Sequence, residues 1–102
     1  MFDLSQHAIA LIQKEIVDIE VRIRLLEHKN DLLDEQIAAK VAERDAITNE
    51  NRSAPARKYR QDTVQQEIDK LHARQDKIVE ELDDLELQQL FYKQEIGLAE
   101  KS

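Results

Sequence analysis

The fold is decided by residues 9–37, IALIQKEIVDIEVRIRLLEHKNDLLDEQI, in which apolar residues recur at alternating steps of three and four. If Ile9 is taken as position a of a heptad, eight of the nine a and d positions are Ile or Leu, and Asn30 is the exception. This spacing is typical of a coiled-coil helix and does not fit the alternation of a β-strand. The stretch therefore predicts a long helix whose apolar stripe packs against another helix.

A second stretch, residues 64–99, has the same spacing, and nine of its eleven a and d positions are apolar. Gln75 and Gln89 occupy the other two. We expect helix 1 over about residues 4–50, a turn at about 51–54 and helix 2 over about 54–100, forming a single domain from 1 to 102. Asn30, Gln75 and Gln89 are predicted to set the register from within the core, with Asn30 and Gln75 placed to hydrogen-bond across it.

The chain is expected to reverse direction between the two stretches, where the only proline lies. Ser53 is a candidate N-cap for helix 2, and Pro55 fits the first helical turn, where a missing N–H group costs nothing. At the start of helix 1, Asp3 and Gln6 have the spacing of a capping box. The sequence thus predicts an all-α fold, a long antiparallel two-helix coiled-coil hairpin in which facing residue numbers sum to about 108.

One continuous helix in a parallel dimer is the competing architecture. The two heptad frames differ by three residues, which a continuous coiled coil can absorb by local overwinding. Pro55 inside such a helix would cost ~3 kcal/mol and kink it. The hairpin is therefore the favoured interpretation.

The composition of the 102 residues excludes several other classes of protein. One Gly and one Pro leave little material for the turns of a β-sheet, and the absence of Cys removes disulfides and thiolate chemistry. No Ser or Thr has a His placed to activate it, so we predict that the chain is not an enzyme and has no cofactor or metal. No apolar run could cross a bilayer and no basic leader is recognisable, so we expect a cytoplasmic protein without a membrane partner.

The sequence holds more apolar residues than a two-helix seam requires. In the predicted hairpin a group of them lies together at the open end, and such patches commonly mark interfaces. We therefore predict a homodimer or higher homo-oligomer, most simply a four-helix bundle, and leave open a helix of another protein as the occupant. The predicted oligomerisation patch consists of Phe2, Leu4, Leu11, Leu87, Leu90, Phe91 and Leu98.

The formal net charge is −7, yet residues 44–60 contain five basic and two acidic residues, a local charge of +3. At the hairpin tip Arg52, Arg57, Lys58 and Arg60 are therefore candidates for binding an acidic partner or a phosphate backbone, or they form a solvated turn. The overall acidity disfavours nucleic acid as the main ligand.

These features predict a non-enzymatic coiled-coil adaptor, scaffold or assembly chaperone that acts through protein–protein contacts with itself and with another protein. The alternative is an accessory factor of a nucleic-acid machine that docks by the basic tip.

Overall fold

The computed structural model describes the backbone of residues 5–101 and the side chains of residues 5–97. Helix α1 is Gln6–Ile47, helix α2 is Ala54–Lys101, and residues 48–53 connect them. The described part of the chain contains no strand, so the predicted all-α class is confirmed. Neither helix, over the residues described, has a stretch long and apolar enough to cross a membrane.

Helix α1 begins one residue after Ser5, whose Oγ accepts a hydrogen bond of 3.2 Å from the backbone N–H of Ala8. Ser5 is therefore the N-cap. The predicted capping box relied on Asp3, which lies outside the described residues. At its other end α1 stops at Ile47, three residues before the predicted end at about 50. The chain tightens there because the N–H groups of residues 48, 49 and 50 each bond the carbonyl three residues back.

Helix α2 begins as predicted. The Oγ of Ser53 accepts a hydrogen bond of 3.4 Å from the N–H of Ala56, and its carbonyl accepts one of 3.0 Å from Arg57. Pro55 is the second residue of the helix. Its missing N–H group is one that no helical carbonyl could bond at this position. The proline therefore sits in the first turn of α2 without breaking a helical bond.

The packed helices divide into two compact units: unit 1 is Met1–Glu27 with Val79–Ser102, and unit 2 is His28–Ile78. In unit 1, Glu20 bonds Gln89 and Arg22 bonds Glu81. In unit 2 the bonded pairs are Asp34–Gln75, Arg44–Gln65 and Thr48–Gln61. In each unit residue numbers rise along α1 as they fall along α2, so the helices are antiparallel and the hairpin is confirmed. In four of these five pairs the two residue numbers sum to 109, which is one more than the predicted sum of 108.

The interior consists of the predicted a and d side chains together with Ile47, which lies outside the two predicted stretches. Ile19 and Leu26 are buried in unit 1, and Ile47, Val64, Ile68 and Leu71 are buried in unit 2. Every other seam position whose side chain is described is at least half-buried, including the three amide residues. Ile47, only 1% exposed, is the most deeply buried large side chain and packs with Val64 and Ile68, with Ile37 and Val41 against them.

The two helices also pack against each other between the two apolar stretches, where polar residues occupy some of the a and d positions. Lys40 and Arg44 occupy expected core positions and are half-buried. The Nη1 of Arg44 donates to the side-chain oxygen of Gln65 at 2.7 Å, and the Nζ of Lys40 lies 2.5 Å from a carboxylate oxygen of Glu67. Long side chains can cover apolar surface with their stems while their charged ends reach a partner at the edge. This is how the helix pair extends toward the turn with fewer apolar residues.

We predict that Ile47→Ala lowers the free energy of unfolding by ~2–5 kcal/mol, because it leaves a cavity where the two helices meet near the turn. Ile47→Val, which removes one methylene, should cost about 0.5–1.5 kcal/mol. Urea unfolding followed by circular dichroism at fixed protein concentration measures both. Leu32→Ala, at an exposed site of α1, is the control and should change stability by less than about 0.5 kcal/mol. Equal effects at positions 47 and 32 would contradict this packing.

Candidate interaction surfaces

The predicted oligomerisation patch is exposed wherever its side chains are described. Leu11, Leu87, Leu90 and Phe91 each keep more than half of their surface accessible. Leu87, Leu90 and Phe91 are spaced three and four residues apart on α2, so they share one face of that helix. Phe2 and Leu4 lie outside the described residues, as does the side chain of Leu98. The exposed apolar surface of unit 1 therefore includes four of the seven predicted residues.

Unit 1 also exposes apolar side chains on α1 that the predicted patch did not include. Val17, Val21 and Leu25 are each more than half exposed. Val17 and Val21 are at heptad positions b and f, which point away from the seam. Apolar residues at b and f are the signal in the sequence that could have identified this surface. The apolar surface of unit 1 thus lies on the outer faces of both helices.

Phe91 is held by its neighbour rather than by the core. Its ring centroid is 6.1 Å from that of Tyr92, and the two rings are inclined at 64°, an edge-to-face arrangement. Tyr92 is half-buried in the seam, whereas Phe91 is exposed. Such pairs contribute ~0.5–1.5 kcal/mol beyond the buried area. The contact orients an exposed aromatic ring that would otherwise be free to rotate.

The formal charge is distributed very unevenly between the two units. Unit 1 contains five Lys and Arg against twelve Asp and Glu, a net charge of −7, whereas unit 2 contains ten of each and is neutral. The acidic excess is concentrated in residues 80–86 of α2, which include five carboxylates. The surface of unit 1 is therefore both apolar and acidic.

The basic tip is organised around one carboxylate. The Nη1 of Arg60 donates to both carboxylate oxygens of Glu50, at 2.7 and 2.8 Å, and the Nε of Arg52 lies 3.3 Å from Oε2. Arg57 donates to the backbone carbonyl of Glu50 at 3.4 Å. Three of the four predicted tip cations therefore hold the turn together. Their charge is in part compensated before any ligand arrives.

Lys58 and Tyr59 have a different position at the start of α2. Both are exposed, and Tyr59 keeps 75% of its surface accessible, the largest fraction among the exposed large hydrophobic residues of the described part of the chain. The tip therefore presents an amine and an aromatic ring beside the exposed side chain of Arg52, while the guanidinium groups of Arg52, Arg57 and Arg60 contact Glu50.

The core amides do not pair with each other as predicted. Gln75 donates to Oδ1 of Asp34, and Gln89 donates to Oε1 of Glu20 at 3.1 Å. The Oδ1 of Asn30 is buried and has no hydrogen-bond partner among the described residues. The predicted Asn30–Gln75 bond is thus absent. With residue numbers summing to 109, Gln75 lies opposite Asp34, and a carboxylate is a stronger acceptor than a second amide.

An open groove of about 380 Å³ lies beside the seam in unit 2. Lys40 lies between Glu67 and Glu43 in this groove, and hydrogen bonds to the two carboxylates raise the pKa of its amine. The Oε2 of Glu67 is buried and lacks a hydrogen bond of normal geometry, yet it lies 2.5 Å from Lys40 Nζ. The ion pair with Lys40 offsets the cost of burying this oxygen of Glu67. Lys70 and Arg74 also line the groove.

Comparison with known proteins assigns neither a family nor a function to this chain. The chain has no significant match to a model of a protein family, to a curated protein sequence or to a solved structure. Within the side chains that the structure describes, no group of three or more His, Asp or Glu could hold a metal ion. The exposed surfaces of the two units are the features of this chain that bear on its function.

We predict that Glu50→Gln lowers the free energy of unfolding by about 1 kcal/mol, because one oxygen that accepts hydrogen bonds from arginine becomes an NH₂ group. The melting temperature should fall by several degrees, measured by circular dichroism. Glu35→Gln removes an exposed carboxylate on α1 and serves as the matched control. A loss of stability no greater than that of the control would mean that Glu50 does not organise the turn.

We predict that the contribution of Lys40 to stability disappears at alkaline pH. Because its pKa is raised in the folded state, the contribution is complete below the ordinary pKa of lysine and is lost as pH rises through the folded value. Wild type should therefore lose stability relative to Lys40→Met across that range, in urea titrations at increasing pH. Lys40→Arg keeps its charge there and should not show this loss. A constant difference between wild type and Lys40→Met would contradict the prediction.

Proposed function

We propose that this chain is a non-enzymatic coiled-coil adaptor, scaffold or assembly chaperone that works through protein–protein contacts and self-associates through unit 1. The observation that carries the proposal is the set of large apolar side chains exposed on the outer faces of both helices. The seam already buries its a and d residues, so these side chains have no further role in holding the two helices together.

The composition of this surface supports association rather than simple solvation. Unit 1 exposes Leu11, Val17, Val21, Leu25, Val79, Leu87, Leu90 and Phe91. Covering apolar surface contributes ~25 cal/mol per Å² removed from water. Contiguous apolar surface bordered by charged residues is typical of protein interfaces. A second copy of the chain and a helix of another protein are both partners of this kind, and a cytoplasmic location belongs to the same proposal.

The alternative function, docking of the basic tip on a nucleic-acid machine, receives less support. Arg52 and Arg60 contact the carboxylate of Glu50 and Arg57 its backbone carbonyl, so a phosphate backbone would have to compete with these acceptors. Lys58 and the exposed ring of Tyr59 remain accessible for such a contact. Two side chains are a small basis for recognising a polyanion, and the protein as a whole carries a net charge of −7.

We predict that wild-type protein sediments as two or more copies at micromolar concentration and that Leu87→Asp with Phe91→Asp dissociates it. Two buried carboxylates would have to be desolvated without a partner, which is unfavourable. Sedimentation equilibrium measures the mass. Ala73→Asp, an exposed alanine elsewhere on α2, controls for added charge and for the lower helix propensity of Asp. A wild-type monomer throughout the micromolar range would refute self-association.

A further inference from the structure

The outer faces of α1 and α2 in unit 1 have complementary chemistry. On α1 the exposed residues Lys14, Val17, Val21 and Arg24 lie along one face, because they are three or four residues apart. We refer to these four as the α1 face. On α2 the exposed residues Asp83, Leu87, Leu90 and Gln94 are also three or four residues apart, so they lie along one face of that helix. We refer to these four as the α2 face; Asp84 and Phe91 border it. The α1 face has cations at its ends, and the α2 face begins with a carboxylate.

The two faces match in spacing when they run in opposite directions. Val17 precedes Arg24 by seven residues, and Asp83 precedes Leu90 by seven residues. Seven residues are about two helical turns. The apolar and the charged residue are therefore about 10 Å apart along the helix axis in both faces. Antiparallel packing therefore aligns apolar with apolar and cation with carboxylate at once. The facing pairs are Lys14 with Gln94, Val17 with Leu90, Val21 with Leu87 and Arg24 with Asp83.

We propose that the α1 face of one copy packs antiparallel on the α2 face of a second copy, with Arg24 bonded to Asp83. This inference rests on the proposed self-association and names its contact. The directions of the two helices are those of α1 and α2 within one chain, so the new contact repeats a geometry that these helices already adopt.

The charges of unit 1 favour this contact. Self-association brings together two surfaces that each carry a net charge of −7, so it is most favourable where a cation of one copy meets a carboxylate of the other. Arg22 is already bonded to Glu81 in its own chain. Arg24, in contrast, forms no ion pair with another described residue, and neither does Asp83. Arg24 is thus placed to contribute to an interface.

The contact is heterologous, because it joins two different faces. Each copy offers one face of each kind, so an assembly is not restricted to one contact. The two faces point away from the seam on opposite sides of the helix pair, so one contact leaves a face free on each copy and the contacts continue into a larger assembly. Every contact of this assembly contains the same pair, Arg24 with Asp83.

Charge reversal tests the contact. Arg24→Glu and Asp83→Arg, each alone, should raise the dissociation constant for self-association by about tenfold or more, because each places like charges opposite one another. An equimolar mixture of the two variants should associate, because the unchanged Arg24 of one variant faces the unchanged Asp83 of the other. In the opposite arrangement the introduced carboxylate faces the introduced guanidinium, which is also favourable. Sedimentation velocity with one variant fluorescently labelled measures this. Glu86→Arg, an exposed change of the same charge on α2, is the matched control; it keeps Arg24 and Asp83 and should associate as the wild type does.

The outcomes separate this inference from the proposed function. Loss of association in each variant and its return in the mixture support the contact. If association persists in Arg24→Glu and Asp83→Arg but is lost in Leu87→Asp with Phe91→Asp, the proposed pairing is wrong and the adaptor function stands. If the wild type is monomeric under all conditions, both are overturned. Circular dichroism of each variant excludes loss of helix as the cause.

Discussion

Burial of the aliphatic seam between α1 and α2 is the interaction on which every other feature depends. An isolated helix is only marginally stable in water, so helices of this length in a globular protein require packing along one face. Each large side chain placed in the seam contributes ~1.5–3 kcal/mol, and Ile19, Leu26, Ile47 and Ile68 are among the most buried. The same packing decides which side chains remain outside. Positions b, c and f of both helices become the surface, whatever residues occupy them.

Polar residues within the seam refine the pairing that the apolar residues drive. Gln75 and Gln89 each donate to a carboxylate on α1, at Asp34 and Glu20, in the axial alignment that the helices adopt. Near the turn, Arg44 and Gln65 have the same role. Hydrogen bonds that reach a charged partner contribute more than neutral ones. Asn30, whose buried oxygen has no partner among the described residues, instead carries a desolvation cost of ~1–3 kcal/mol.

The two units differ in a way that matters for function. Unit 2 contains the tightly packed cluster around Ile47, a turn held by Glu50 and no net charge. Unit 1 contains the apolar outer faces and the whole net charge of −7. An apolar surface surrounded by carboxylates restricts its partners, because a partner must offer apolar area and cations together. On this chain Val17, Val21 and Arg24 provide that combination, which is why the proposed self-contact joins unlike faces.

The heptad pattern determined both helices and the exposure of Leu11, Leu87, Leu90 and Phe91, because burial of one stripe leaves the rest of each helix outside. The break at Ser53 and Pro55 determined the N-cap of α2 and favoured the antiparallel order. Contacts between side chains could not be derived this way. Whether Gln75 bonds Asn30 or Asp34, and whether Arg60 faces solvent or Glu50, depends on a choice among acceptors that lie within a few ångströms of each other. The early end of α1 also depended on local hydrogen bonding. Only the packed structure decides such choices, since the competing interactions differ by about 1 kcal/mol while the seam contributes many times more.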